Sequence, residues 1–204
     1  LREDNLAAAP PGVLELMMDE GARAGKPELA VKAAELLVKD FPETDYALSA
    51  RMMLARLAGE AGDYDAAIRH LSVVREVFAT SSEAAEALYT LGNIHLTRRQ
   101  FDEADRCFSE LLGVKEWRGP LWPAALYGRG EAARLRGKPA EASAYYERIY
   151  VMYGNYTEWV AKAYLQRAAC LIRLHEPGKA EETLAEMLAN PSLGDAPEAA
   201  QARE

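Results

Sequence analysis

A short segment recurs along the chain at a nearly constant spacing. It is clearest as GDYDAAI, which begins at residue 62, and related segments begin at residues 25, 99, 137 and 175. Successive starts lie 37 or 38 residues apart. A period of this length is typical of solenoids, in which one supersecondary unit is repeated and stacked. The spacing therefore predicts about five copies of one unit.

The residues of the repeated segment predict that each copy begins a helix. Its third position holds Pro27, Tyr64, Phe101, Pro139 and Pro177. Proline has a fixed φ and no N–H, so it suits the first turn of a helix. Asp63 precedes this position in the second copy and can cap the helix. A small residue follows in every copy and allows two helices to approach closely: Ala30, Ala67, Ala104, Ala142 and Ala180.

A second apolar stretch precedes each copy, clearest in ALYTLGNIHLTR (87–98), where apolar residues recur at helical spacing. Half of the chain is apolar but only 8% is aromatic, which favours closely packed helices over a sheet. The predicted fold is all-α, and each unit is helix, turn, helix, loop. We expect an N-terminal extension (1–11), a repeat domain (12–190) and a C-terminal tail or cap (191–204). The predicted units cover about 12–42, 45–79, 82–116, 120–154 and 158–190.

The third unit resembles the tetratricopeptide repeat (TPR). Leu88-x2-Leu91-Gly92-x2-His95, followed by Ala104-x3-Phe108, is similar to the TPR pattern. The other units carry matching residues, although Met18 stands where the later units have a small residue. The resemblance implies a right-handed superhelical solenoid of about five helix hairpins. It also implies a non-catalytic scaffold that binds a peptide or protein segment in its concave groove.

Two alternative functions remain open: a homo-oligomerisation module, or a regulatory TPR domain of a larger protein. The period is longer than the usual TPR period of about 34 residues. In this it resembles TPR proteins of the bacterial cell envelope, so we expect a periplasmic or envelope location, with the cytoplasm as the alternative. The chain begins with Leu, and we expect a longer N-terminus in the native protein, where a signal peptide would lie.

The resemblance also implies which residues face the groove. In a TPR stack the first helix of each hairpin lines the concave side, and one exposed stripe recurs on these helices. Two tyrosines in register, flanked by Arg and Asn, suit contact with a peptide. The Lys/Asn/Arg clamp of chaperone-binding TPR proteins is not expected, because only Asn93 fits it. The predicted groove residues are Met52, Arg56, Tyr89, Asn93, Tyr127, Glu131, Arg134, Leu165 and Arg173.

The segment EWRGPLWP (116–123) holds two tryptophans in one loop between units. In one interpretation Trp117 takes the helix-end position that Phe41 and Phe78 occupy in earlier units, and Trp122 covers the start of the next helix. In the other interpretation Trp117 and Trp122 form a second contact site on the edge of the stack.

The remaining composition argues against several classes of function. A formal net charge of −8 disfavours nucleic acid and anionic membranes and favours a neutral or basic partner. No apolar run is long enough to span a bilayer. His70, His95 and His175 lack neighbours at ligand spacing, so we expect no metal, no cofactor and no enzyme activity. Cys107 and Cys170 are predicted to be buried thiols in different units, with no disulfide between them.

Overall fold

The computed structural model describes residue 6 and residues 8–203. Regular structure in this part of the chain is entirely helical, which confirms the all-α prediction. Short 3₁₀ helices lie at Lys115–Trp117 and Pro191–Leu193. The α-helices are α1 (Pro11–Arg23), α2 (Pro27–Asp40), α3 (Asp45–Glu60), α4 (Tyr64–Val77), α5 (Ser82–Thr97), α6 (Phe101–Gly113), α7 (Leu121–Leu135), α8 (Pro139–Met152), α9 (Thr157–Arg173), α10 (Pro177–Ala189) and α11 (Pro197–Gln201).

The chain forms two compact units, residues 1–87 and residues 88–204. Within the first unit α1 packs on α2, α2 on α3 and α3 on α4. Within the second unit α6 packs on α7, α7 on α8, α8 on α9 and α9 on α10. The helices named in each unit thus pack on the next helix in sequence, as expected for stacked helix hairpins.

The third position of the repeated segment is the first residue of α2, α4, α6, α8 and α10. The predicted helix starts are therefore confirmed. Asp63 caps α4, because its Oδ1 accepts a hydrogen bond of 2.9 Å from the backbone N–H of Ala66.

The first position of the repeated segment is left-handed in every copy. The φ angles of Gly25, Gly62, Arg99, Gly137 and His175 lie between 59° and 79°. In each copy the following backbone N–H donates a bond of 2.8–3.0 Å to a carbonyl five residues earlier, which closes the preceding helix with a Schellman motif. Glycine adopts this conformation without steric cost, which explains why the segment begins with Gly in three of its copies.

The helices of a hairpin meet through side chains of complementary size. Ala30, Ala67, Ala104, Ala142 and Ala180 are all buried, as predicted. In the third hairpin Phe108 packs against Gly92, and a Cβ on that glycine would lie 2.5 Å from the ring. Gly130 and Tyr146 form the same pair in the fourth hairpin, again with 2.5 Å between an added Cβ and the ring.

The first hairpin reverses this pairing. Met18 occupies the position of Gly92 and Gly130, and Ala34 occupies the position of the large aromatic ring. Both residues are buried in one core cluster of the first unit. The large and small partners have exchanged helices, so the volume between the helices is still filled.

The two cysteines lie in different hairpins. Cys107 is on α6 and Cys170 is on α9, and both are buried thiols rather than halves of a disulfide. This confirms the prediction from their positions. No helix in the described ranges is both long and apolar enough to cross a membrane.

Candidate functional site

Three aromatic side chains line one depression in the second unit. Tyr89 lies on α5, Tyr127 on α7 and Trp159 on α9, so each comes from the first helix of a different hairpin. The depression has a volume of about 250 Å³, which is enough for a side chain or two of a bound segment. We call it the aromatic pocket. Its lining side chains include Tyr89, Asn93, Tyr127, Glu131, Trp159 and Lys162.

Packing behind the pocket holds the rings in place. The Tyr127 ring lies 5.5 Å from the Tyr146 ring on α8 and 5.5 Å from the Trp159 ring, in tilted contacts. The Tyr89 ring lies 6.1 Å from Phe108, the same residue that fills the space above Gly92. All three rings are half-buried, and Tyr127 and Trp159 also pack against the core cluster of the second unit.

Burial and the neighbouring Glu131 carboxylate raise the pKa of Tyr127 to about 12. Its hydroxyl is therefore protonated at neutral pH, and the ring brings no charge to the pocket. A neutral, half-buried phenol can donate one hydrogen bond and accept another.

The Glu131 carboxylate is fully engaged at the base of the pocket. It accepts bonds of 3.0 Å from Nε and 2.5 Å from Nη2 of Arg134, and a bond of 2.5 Å from the Tyr146 hydroxyl. The hydrogen bond to Glu131 raises the pKa of Arg134, although burial opposes this. The negative charge of Glu131 is thus matched by a fixed positive charge one turn away.

The edge of the pocket at α9 carries a lysine. The Lys162 ammonium lies 4.8 Å from the centre of the Trp159 ring and 2.6 Å from Oε1 of Glu158. Its charge is therefore shared between an aromatic face and a carboxylate. Asn93 also lines the pocket and offers both a hydrogen-bond donor and an acceptor.

The structure brings four of the nine predicted groove residues into this pocket: Tyr89, Asn93, Tyr127 and Glu131. Arg134 stands behind them as the partner of Glu131. Leu165 is half-buried against the core, and Arg173 is exposed at the last residue of α9.

Met52 and Arg56 belong to the first unit. Met52 is half-buried on α3, and Arg56 is exposed and bonded to Glu60 at 2.8 Å. Their assignment to a groove stays a prediction.

Sequence reasoning missed Trp159 and Lys162. Both lie in the first half of α9, with Lys162 three residues before Leu165 and Trp159 three residues before Lys162. Extending the predicted stripe by one turn towards the start of the helix would have found Lys162 but not Trp159, which lies about 120° around the helix from Leu165.

The interpretation that Trp117 takes the helix-end position is wrong. Phe41, Phe78 and Tyr153 directly follow α2, α4 and α8, but Val114 takes this position after α6. Helix α6 has 13 residues where α2 has 14, and the chain then enters the 3₁₀ helix that ends at Trp117.

Trp122 packs at the start of α7, as the first interpretation expected. Its ring lies 6.5 Å from Tyr153, and the Arg118 guanidinium lies 5.5 Å from its centre. Trp117 is half-buried. A second contact site at Trp117 and Trp122 stays a prediction, and Trp122 has a packing role besides.

Across the described residues, no group of three or more His, Cys, Asp or Glu side chains could hold a metal ion. The His95 ring instead pairs through Nδ1 with Oε1 of Gln100 at 2.8 Å.

Comparisons with solved structures show the same fold in other proteins. The chain matches a structure of the MamA protein with a TM-score of 0.72 and 17% identity, over 87% of this chain and 90% of that one. It matches the C-terminal part of a TPR repeat-containing protein from Cytophaga hutchinsonii with a TM-score of 0.75 and 17% identity, over 96% and 74% of the two chains. It matches PilW, a type IV pilus biogenesis factor, with a TM-score of 0.54 and 16% identity, over 95% and 98%.

A search of curated proteins finds no match to this sequence. A family model described as tetratricopeptide repeat matches residues 52–104 and 89–157, which together make up more than half of the chain. The family match, the stacked hairpins and the neighbouring folds agree, and the chain belongs to the tetratricopeptide repeat family.

Proposed function

We propose that this protein is a non-catalytic scaffold that holds an extended peptide or protein segment in the aromatic pocket of its second unit. The observation that carries the proposal is the convergence of Tyr89, Tyr127 and Trp159 from three successive hairpins on one depression. Rigid aromatic rings supply large contact areas at a low cost in conformational entropy, and such residues dominate binding energy at protein interfaces.

The polar groups of the pocket support the same function. The Asn93 amide can both donate and accept a hydrogen bond, so it can pair with the backbone of a segment bound in either orientation. The Glu131–Arg134 pair lies below the rings and holds α7 against Tyr146 on α8. A preformed pocket of this kind loses little entropy when a ligand binds.

The alternatives predict different behaviour of the purified chain. A homo-oligomerisation module would give a mass above 22.5 kDa by light scattering at micromolar concentration. A regulatory domain of a larger protein would instead bind a segment of that same protein in the aromatic pocket. The cell-envelope location, which rests on the long repeat period, is part of the proposal.

The test is selection of peptides from a random phage-displayed library against the purified chain. Selected peptides are then measured against Asn93→Arg, which places a long side chain in the pocket and removes no core contact. Ala144→Arg is the matched control, because Ala144 is exposed on α8 and does not line the pocket. Alanine and arginine are both good helix formers, so this control should also leave α8 intact. We expect affinity to fall about tenfold or more in Asn93→Arg, as for a residue central to binding, and to stay unchanged in Ala144→Arg.

Two results would contradict the proposal. The first is a set of selected peptides that bind both variants as well as the original chain. The second is a failure to select any peptide from a chain whose circular dichroism shows intact helices.

A further inference from the structure

A second depression adjoins the aromatic pocket. It has a volume of about 490 Å³ and lies between the first turns of α9 and the segment that leads into α11. Lys162 lines both depressions, so they share an edge. Its carboxylates are Glu158, Asp195 and Glu198, which we call the acidic rim.

The two depressions differ in whether their charged side chains are paired. In the aromatic pocket the Glu131 carboxylate is paired with Arg134, at 2.5 Å. The Lys162 ammonium is paired with Glu158 at 2.6 Å. Asp195 and Glu198 have no ion pair among the described residues, so the rim carries two uncompensated negative charges.

The acidic rim acts electrostatically on an aromatic side chain of the neighbouring pocket. After burial and Glu131, the Glu198 carboxylate also raises the pKa of Tyr127. Because Lys162 lines both depressions, a single extended segment can contact Tyr127 in one and Glu198 in the other. Asp195 is exposed and Glu198 is half-buried, so both carboxylates are reachable from solvent.

We infer that the site binds an extended segment that places an uncharged apolar or aromatic side chain in the aromatic pocket and an Arg or Lys side chain against the acidic rim. The inference rests on the proposed function and names the class of its partner. An aromatic floor with balanced charges favours an uncharged ring or aliphatic group. Two free carboxylates beside it attract a cation and repel an acidic or phosphorylated segment.

Two-dimensional ¹H–¹⁵N NMR of the full chain tests the inference, with the indole N–H of Trp159 as the reporter. The probes are three tripeptides: acetyl-Phe-Gly-Arg-amide, acetyl-Phe-Gly-Glu-amide and acetyl-Ser-Gly-Arg-amide. We expect the first to bind about fivefold more tightly than the second, since exposed ion pairs are individually weak. The third should bind least, because it lacks the ring.

Two double variants distinguish the effect of the acidic rim on binding from the effect of the net charge of the protein. Asp195→Asn with Glu198→Gln should bring the Arg/Glu affinity ratio close to one. Glu181→Gln with Glu182→Gln removes the same charge from the exposed face of α10 and should leave the ratio unchanged. Raising the salt to about 0.5 M should also reduce the ratio in the original chain, since exposed charges are screened.

Each contrary result has a distinct meaning. Equal binding of the Phe-Gly-Arg and Phe-Gly-Glu probes, or a ratio unchanged by the rim variant, overturns the inference while the pocket still binds peptide. No shift with any probe at about 20 mM, far above the millimolar affinity expected of a fragment, also overturns it. In that case the proposed function still stands if library peptides bind through the pocket, and it falls if they do not.

Discussion

Single residues in the left-handed region end the first helix of every hairpin. Three of the five are glycines, whereas Arg99 and His175 have φ angles of 59° and 61°. A side chain in this region costs about 1–2 kcal/mol relative to right-handed backbone. Both residues are exposed, so no burial requirement explains their presence.

We expect His175→Gly to stabilise the protein by about 0.5–1 kcal/mol. Relief of the left-handed strain exceeds the entropy that glycine loses on folding. The bond from the Glu176 N–H to the Leu171 carbonyl, at 3.0 Å, needs no side chain at residue 175 and is retained. Chemical denaturation measures the change.

Gly137→Ala is the control, and it should change the stability in the opposite direction. Gly137 has a φ of 75°, and alanine there should destabilise the protein by about 1 kcal/mol or more. A lower midpoint for His175→Gly, or no change in either variant, would contradict the strain argument.

Pairs of helices are matched by the sizes of facing residues. Each hairpin has one large and one small partner where its two helices cross, but the identities differ: Met18 with Ala34, Gly92 with Phe108, and Gly130 with Tyr146. Phe108 also packs against Gly128 of α7, where an added Cβ would collide with the ring. The large ring of one helix therefore contacts both the preceding and the following helix.

We expect Gly92→Ala to destabilise the protein by about 1–3 kcal/mol, because the added Cβ would overlap the Phe108 ring. Combining it with Phe108→Leu recreates the Ala/Leu pair that the second hairpin has at Ala55 and Leu71. The double variant should be more stable than the sum of the single effects by about 0.5–3 kcal/mol.

A double-mutant cycle by urea denaturation measures this coupling. Strictly additive effects would show that the two positions are not in contact. Ala180→Gly on α10, far along the chain, should combine additively with Gly92→Ala and serves as the control.

Across the whole molecule the aromatic residues are unevenly divided. All three tryptophans follow Leu88, and only Tyr46 and Tyr64 of the ten tyrosines precede it. Two tyrosines of the second unit are buried and hydrogen-bonded: the Tyr146 hydroxyl donates to Glu131 and the Tyr164 hydroxyl donates to Glu186. The folding of the second unit is therefore linked to tyrosine ionisation, and its tryptophans report on it.

Burial raises the pKa of Tyr127 to about 12 and that of Tyr150 to about 12. An unfolded tyrosine ionises near pH 10. The folded state therefore favours the protonated form, and this contribution to stability is complete below about pH 10 and is lost as pH rises to about 12. We expect the denaturation midpoint reported by tryptophan fluorescence to fall across this range.

Tyr127→Phe should lose less stability between about pH 10 and 12 than the original chain, because one of the linked ionisations is gone. Comparison of the two proteins at pH 7, where Tyr127 is protonated, is the control, because it measures the effect of the substitution on packing alone. A midpoint independent of pH above 10 would contradict the linkage.

Much of the fold was predictable because it is encoded locally and repeated. Proline at the first turn, Gly after the preceding helix and Ala at the crossing point are backbone and steric requirements, and five copies in phase make the pattern unambiguous. The cysteine prediction succeeded for the same reason, since the repeat alone places Cys107 and Cys170 in different hairpins.

The candidate site was only partly predictable. Tyr89, Asn93, Tyr127 and Glu131 could be assigned from their equivalent positions in two units, because equivalent residues of a repeat face the same way. Trp159 and Lys162 have no such counterparts. The placement of Trp117 failed because Trp117 lies 18 residues after the start of its repeated segment, whereas Phe41, Phe78 and Tyr153 lie 16 residues after theirs.

The sequence by itself thus determined the family, the helical hairpins and the residue that begins the second helix of each hairpin, because these depend on interactions between residues close together in the chain. Only the tertiary structure decided which side chains of different helices contact one another. The exchange of Met18 and Ala34, the bonds of Glu131 to Arg134 and Tyr146, and the meeting of Trp159 with Tyr127 depend on side-chain contacts between helices. Such contacts are set by how volumes fill the space between helices, which a one-dimensional pattern does not specify.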